Sequence, residues 1–248
     1  MKIRSPGLSG VLSILAVLAL LAVTGHAAWR IKQSAALARL SEPWQASPEA
    51  PLYSLLIVGD STAVGTGASA PAHSVAGLIA RDHPRLRIVN RARDGARFTD
   101  IALQLEGEAR FDAILIMGGG NDVIRLTAYE ALEHDIADAA QLARTKARFV
   151  LIMPPGNVGN APFFFPPLSW LMTQRAKALH RFVREAAADN GAVYINLYQD
   201  RADDPFAQQP DEFNARDGLH PSDAGYRLWY DALNTQGGLA GRLAAMAR

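Results

Sequence analysis

Five short, almost wholly apolar runs, separated by longer segments of helical period, constrain this chain most. The runs are Leu52–Val58, Leu86–Asn90, Phe111–Met117, Arg148–Pro154 and Ala192–Leu197. A strand that is apolar on both of its sides must be covered on both, which is the situation of a parallel sheet sandwiched by helices. Between the runs, Ser74–Asp82, Thr99–Leu105, Tyr129–Arg144 and Leu168–Asn190 repeat apolar residues every three or four positions, and Ala176, Leu179, Val183 and Ala186 make one such stripe. Alternation of this kind predicts an α/β domain with a five-stranded parallel sheet between two helical layers. Functional groups in such folds collect at the carboxyl ends of the strands. That singles out Gly59-Asp60-Ser61, Arg91 to Gly95, Gly118 to Asp122 and Pro154 to Asn160 before any motif is considered.

Ahead of the first run, Gly7 to Gly25 carries no charge and follows Lys2 and Arg4. Its length suits a bilayer span, and the basic flank favours a cytoplasmic N-terminus. Residues 1–28 therefore read as a signal anchor, or as a secretory signal cut near Ala27 and Ala28. The expectation is a single-pass inner-membrane protein with its bulk outside the cytoplasm, or a periplasmic or secreted one after cleavage. Trp29 to Leu40 has a helical pattern, and Ser41 to Pro51, with three prolines, reads as the end of a linker segment 29–51. The remaining residues, 52–248, are ample for one domain with a real core.

Composition removes several functions. There is no cysteine, which excludes disulfides, thiolate metal sites and a cysteine nucleophile. Lys plus Arg number 25 against 24 Asp plus Glu, so no basic excess points to a nucleic-acid partner. "GGGND", Gly118 to Asp122, lacks both the Gly-Lys-Ser/Thr ending of a P-loop and a G-x-G-x-x-G spacing.

Gly59-Asp60-Ser61 on its own reads equally as a strand end whose serine caps the next helix. Asn121, at the end of the third run, brings a carboxamide with two donor hydrogens. In "DGLHPSDAGY", Asp217 to Tyr226, a segment that curls back would let Asp217 orient the ring of His220 and leave its other nitrogen to take a proton. An isolated Asp-x-x-His is also an ordinary surface loop, and no second histidine or carboxylate cluster accompanies it as a metal site would require. Ser222 is placed to cap the following helix.

Taken in order, Gly59-Asp60-Ser61, Gly95 within "NRARDGARFTD", Gly119-Gly120-Asn121-Asp122 and Asp217-Gly218-Leu219-His220 resemble the four blocks of the SGNH or GDSL hydrolases over about Leu52 to Leu233. The resemblance implies a flavodoxin-like three-layer α/β/α sandwich and a serine esterase without metal or organic cofactor. It implies Ser61 as nucleophile, His220 as general base and then acid, and Asp217 as the group orienting the imidazole. The backbone amides of Ser61 and Gly95 and the side chain of Asn121 would form the oxyanion hole. Two positions depart from the fullest pattern: Thr62 stands where leucine often follows the serine, and Ala92 where an earlier glycine is frequent. Asp60 and Asp122 read as supports that bond nearby backbone.

The segment "PPGNVGNAPFFFPPLSW" after the fourth run bars regular structure yet holds Phe163, Phe164, Phe165, Leu168 and Trp170. Covering each stabilises by about 1.5–3 kcal/mol. These side chains either pack on the domain's own helices or form an apolar lip that receives an acyl chain or touches a bilayer. The expected partner is a small-molecule or lipid ester. Transfer of the acyl group to a glycan hydroxyl instead of water would use the same residues, and a non-catalytic binding domain would keep the pocket alone.

Overall fold

The structure is a computed structural model and describes residues 8–246. In chain order the elements open with α1 (Leu8–Ala38), β1 (Tyr53–Gly59), α2 (Ser61–Val64), α3 (Val75–Asp82), β2 (Leu86–Asn90), α4 (Phe98–Gln104) and β3 (Phe111–Met117). They continue with α5 (Gly120–Ile124), α6 (Tyr129–Lys146), β4 (Ala147–Met153), α7 (Leu168–Asp189) and β5 (Val193–Tyr194). Four helices close the chain: α8 (Pro205–Gln208), α9 (Pro210–Phe213), α10 (Asp223–Gly237) and α11 (Leu239–Met246).

The strands form one parallel sheet in the order β2-β1-β3-β4-β5. Alternate residues of each strand serve opposite faces. Leu56, Val58, Ile114, Ile116, Val150 and Ile152 pack with residues of α4, α6 and α7, including Ile101, Ile136 and Leu179. Leu55, Ile57, Ala113, Leu115 and Met153 pack with α3, α10 and α11 through Ile79, Trp229, Leu233 and Leu243. The expected three-layer α/β/α architecture is therefore present, and each central strand is buried on both sides, as its composition required.

Some boundaries differ. The run Ala192–Leu197 contributes only Val193–Tyr194 as a strand. It is an edge strand, and after Ile195 N–H donates to the Ile152 carbonyl the Asn196 amide turns to the side chain of Gln236. The expected apolar segment and the helix expected at Trp29–Leu40 are one continuous helix, because no proline interrupts them. Leu12, Ile14, Leu15, Val17, Leu18, Leu21 and Val23 are all exposed on it. Among the described residues no helix is long and apolar enough to cross a membrane. The start of the expected anchor, residues 1–7, lies outside them. The proline-rich stretch before Leu52 runs along the edge of β2: Gln45 exchanges hydrogen bonds with the backbone of Asn90 at 2.7 and 3.0 Å, and Ala46 pairs with Ile88. That contact covers an edge otherwise open to another strand.

The ends of β1 and β3 lie against each other. Asp60 N–H donates to the Met117 carbonyl at 3.0 Å, and a Cβ on Gly59 would overlap that same oxygen. The overlap is with backbone, which has little room to give. Gly59→Ala is expected to destabilise the domain by at least about 1–3 kcal/mol, the usual cost of overpacking, read as a lower urea midpoint at unchanged slope.

Candidate active site

In the order 2-1-3-4-5 the chain winds outward in both directions from β1 and β3, and the crevice beyond their carboxyl ends is where such sheets bind ligands. Ser61 and Asn121 follow those two strands directly. Asp60, not Ser61, caps α2: its Oδ1 accepts from Thr62 N–H at 2.9 Å and from Thr62 Oγ1 at 2.7 Å. The Ser61 hydroxyl is thereby left for other partners. Thr62, where the pattern departed from leucine, uses its own hydroxyl to hold the capping carboxylate.

His220 comes from the loop before α10. Asp217 Oδ1 accepts the amides of Leu219 at 3.0 Å and His220 at 3.1 Å, which is the expected curl, and Gly218 takes the left-handed conformation it needs, φ +67°. The loop is pinned where Ala215 N–H meets the His220 carbonyl and where Asn214 pairs with Pro221, and Ser222 caps α10 by accepting from Gly225 N–H. His220 Nδ1 lies 2.6 Å from Asp217 Oδ2, and its Nε2 lies 3.0 Å from Ser61 Oγ. All three side chains are buried.

Electrostatics fits that geometry. Burial alone would raise the Asp217 carboxyl, but the hydrogen bond and charge of His220, the Ser34 hydroxyl and the Leu219 amide outweigh it and bring it down to about 2. The group beside the imidazole is thus ionised at neutral pH. Asp122 behaves oppositely: burial pushes it up to about 6 against the Phe98 amide and the Thr127 hydroxyl, each 3.0 Å away, and the Asp60 carboxylate adds to the rise. Asp60 is also raised by burial, opposed by its bonds to Thr62. Both carboxylates hold backbone, as the sequence suggested, and among the described residues neither hydrogen-bonds the Ser61 hydroxyl or the His220 ring.

Gly95 is held by its neighbours. Arg93 N–H donates to the Gly59 carbonyl, and Thr66 Oγ1 donates to Asp94 at 2.6 Å. Gly95, Asn121, Ser61 and His220 line one cavity of about 470 Å³. Among the described residues the amides of Ser61 and Gly95 and the carboxamide of Asn121 have no hydrogen-bond acceptor. Three unspent donors beside a hydroxyl bonded to an imidazole can stabilise a negative oxygen on a carbon attacked by that hydroxyl.

The phenylalanines divide. Phe163 lines the cavity, Phe164 is buried in the core with α7, and Phe165 is 52 % exposed and stacks edge-on to His26. Of the five apolar side chains offered either for packing on the domain's own helices or for an apolar lip, Phe163 alone lines this cavity, so the substrate contact suggested for Phe164 and Phe165 is not made there. In place of the other two, the cavity has Ile124, Val158, Leu197, Phe206, Leu219 and Trp229, and also Ile31, Ser34, Ala35 and Ala38 from α1. Sequence reading missed these, because nothing local marks a helix that ends at Ala38, ahead of β1, as a neighbour of a loop near residue 217. Among the described residues no cluster of His, Asp and Glu is arranged to hold a metal ion.

Residues 57–228 match the GDSL-like Lipase/Acylhydrolase family. The chain belongs to that family. It is similar to a GDSL-like esterase of Mycobacterium tuberculosis, with 30% identity over 190 residues, 72% of this chain and 60% of that protein. The chain thus spans less than two thirds of that relative. Among solved structures it resembles LAE5, an alpha/beta hydrolase enzyme from the metagenome of Lake Arreo, with TM-score 0.59 and 21% identity over 76% of this chain and 96% of that one. It also resembles the acetylxylan esterase Axe2 of Geobacillus stearothermophilus, with TM-score 0.55 and 21% identity over 76% and 95%. These structural likenesses show a shared fold.

The Asp122 shift has a consequence for stability in this GDSL-family domain. Below the ordinary value of 3.8 folded and unfolded chains both hold the proton; between there and about 6 only the folded chain does. Its contribution therefore declines as pH rises through that window. Asp122→Asn, which has no proton to lose, should flatten the fall in melting temperature between about pH 4 and pH 6 relative to the parent. Parallel curves would contradict the shift.

Proposed function

We propose that this chain hydrolyses acyl esters through an acyl-enzyme. The observation that carries the reading is the unbroken relay from Asp217 to His220 to Ser61, with bonds of 2.6 and 3.0 Å. His220 Nε2 takes the Ser61 proton as Oγ attacks the ester carbonyl, and Asp217 holds the Nδ1 proton and the charge that develops on the ring. The amides of Ser61 and Gly95 and the Asn121 carboxamide receive the oxyanion. The protonated imidazole then gives its proton to the leaving alcohol. Water, deprotonated by the same nitrogen, cleaves the acyl-enzyme and restores the serine. The relay needs no metal for any of these transfers.

The cavity supports an acyl substrate with an apolar chain. Ile124, Val158, Phe163 and Leu219 surround the space next to Ser61, and a methylene moved from water into such a site contributes about 0.8 kcal/mol. We further propose that the catalytic domain lies outside the cytoplasm, tethered to a membrane or released by cleavage near Ala27 and Ala28. Support for this is the uncharged run behind Lys2 and Arg4 and the exposure of Leu12, Ile14, Leu15, Val17, Leu18, Leu21 and Val23 on α1.

Ser61→Ala should abolish turnover of p-nitrophenyl acetate and octanoate by the full chain while leaving its melting temperature in place. Undiminished hydrolysis would rule out the mechanism. Asn121→Ala should lower kcat by roughly 10²–10³ with KM little changed, the usual loss for one oxyanion donor. An effect on KM alone would make Asn121 a substrate contact instead.

A further inference from the structure

The end of α1 lies on the catalytic loop. Ser34 Oγ donates to Asp217 Oδ2 at 2.5 Å, the same oxygen that receives the His220 Nδ1 proton at 2.6 Å. One turn earlier, Arg30 Nη1 donates to the Arg216 carbonyl at 3.0 Å and packs on Gly218, where a Cβ would come within 2.7 Å of it. Arg30 and Ser34 are four apart and share a helix face. Ile31, Ala35 and Ala38 share the adjoining face and line the cavity that holds Ser61 and His220.

We propose that α1 is a working part of the active site: Ser34 is a positioning residue that fixes the Asp217 carboxylate for His220, and Ile31, Ala35 and Ala38 wall one side of the acyl cavity. This rests on the ester-hydrolase reading above. Asp217 is fully buried, and its Oδ1 is committed to two backbone amides. The orientation of Oδ2 therefore depends on its two donors, the imidazole and Ser34. Proton exchange during turnover takes place at Nε2, so Nδ1 donates throughout while the charge of its ring changes; Ser34 is the donor to Oδ2 whose charge stays constant. Loss of its hydroxyl leaves one lone pair of a buried carboxylate unmet and the plane of the group less tightly held. The wall acts separately. Ile31 and two alanines leave room for a chain beside the helix, and a large side chain at Ala35 would occupy that room.

The test uses the full chain in detergent with p-nitrophenyl acetate and octanoate. Ser34→Ala should lower kcat for acetate about tenfold, the scale of one charge-assisted hydrogen bond, with KM little changed. Ser34→Thr, which keeps the hydroxyl, should recover most of the rate. The downfield proton of His220 Nδ1, observed with ¹⁵N-histidine labelling, should shift in Ser34→Ala and return toward its original position in Ser34→Thr. Alanine is the best helix former, so the variant is not expected to lose α1. Parental kcat together with an unmoved proton in Ser34→Ala would overturn the positioning role. Ala35→Trp should lower the ratio of kcat/KM for octanoate to that for acetate, and an unchanged ratio would remove the wall. A parent inactive on both esters would defeat the ester-hydrolase reading, while the histidine signal would still decide whether Ser34 governs the Asp217–His220 pair.

Discussion

The site depends on the way β1 and β3 end side by side. Their pairing runs from Leu55 opposite Ala113 to Gly59 opposite Met117, and the next residue, Asp60, still donates to the Met117 carbonyl. Only a residue without a side chain fits at Gly59, because the neighbouring carbonyl occupies the space a Cβ would need. From that fixed edge, α2 and α5 start within reach of each other, carrying Ser61 and Asn121. The crevice between the two strands is the one place in the sheet where the chain leaves in opposite directions and no crossover covers the strand ends.

Three buried carboxylates around this crevice show how location decides charge. Asp217 is met by an imidazole, a hydroxyl and two backbone amides, and the hydrogen bonds outweigh the loss of water. Asp122 has an amide and a hydroxyl, and Asp60 the amides of Thr62 and Gly120 and the Thr62 hydroxyl, with no imidazole bonded to either; burial dominates and both are raised. The result is a division of labour. One carboxylate stays ionised beside the imidazole, and the other two hold the starts of α2 and α4. The unspent donors of Ser61, Gly95 and Asn121 suit the proposed mechanism, since a site that stabilises charge only at the moment of reaction must keep its donors unpaired beforehand.

Much of the fold was legible because it follows from burial. Nearly unbroken apolar runs forced strands covered on both sides, and stripes such as Ala176, Leu179, Val183 and Ala186 lie fully or almost fully buried along α7. Where the competition was local and polar, the sequence was less decisive. Asp60 and Ser61 are both good caps, and only the direction of the chain after β1 assigned that task to the aspartate. The apolar run after β4 was recognised as needing cover, yet Phe163, Phe164 and Phe165 went to the cavity, the core and the surface. Three adjacent side chains on an irregular backbone have no period from which their directions follow.

By itself the sequence determined the layered α/β domain and the strand ends at which chemistry collects, since both follow from short-range pattern, whereas Ser61, Gly95, Asn121, Asp217 and His220 stood out only through the resemblance of four blocks taken in order. Tertiary structure alone decided that His220 meets Ser61 across 159 positions of chain. It alone decided that α1 returns to the catalytic loop, with Ser34 on Asp217 and Ile31, Ala35 and Ala38 along the cavity. The reason is physical: periodicity records which face of an element is buried, whereas the identity of the neighbour on that face depends on how distant segments pack, and no local pattern encodes it.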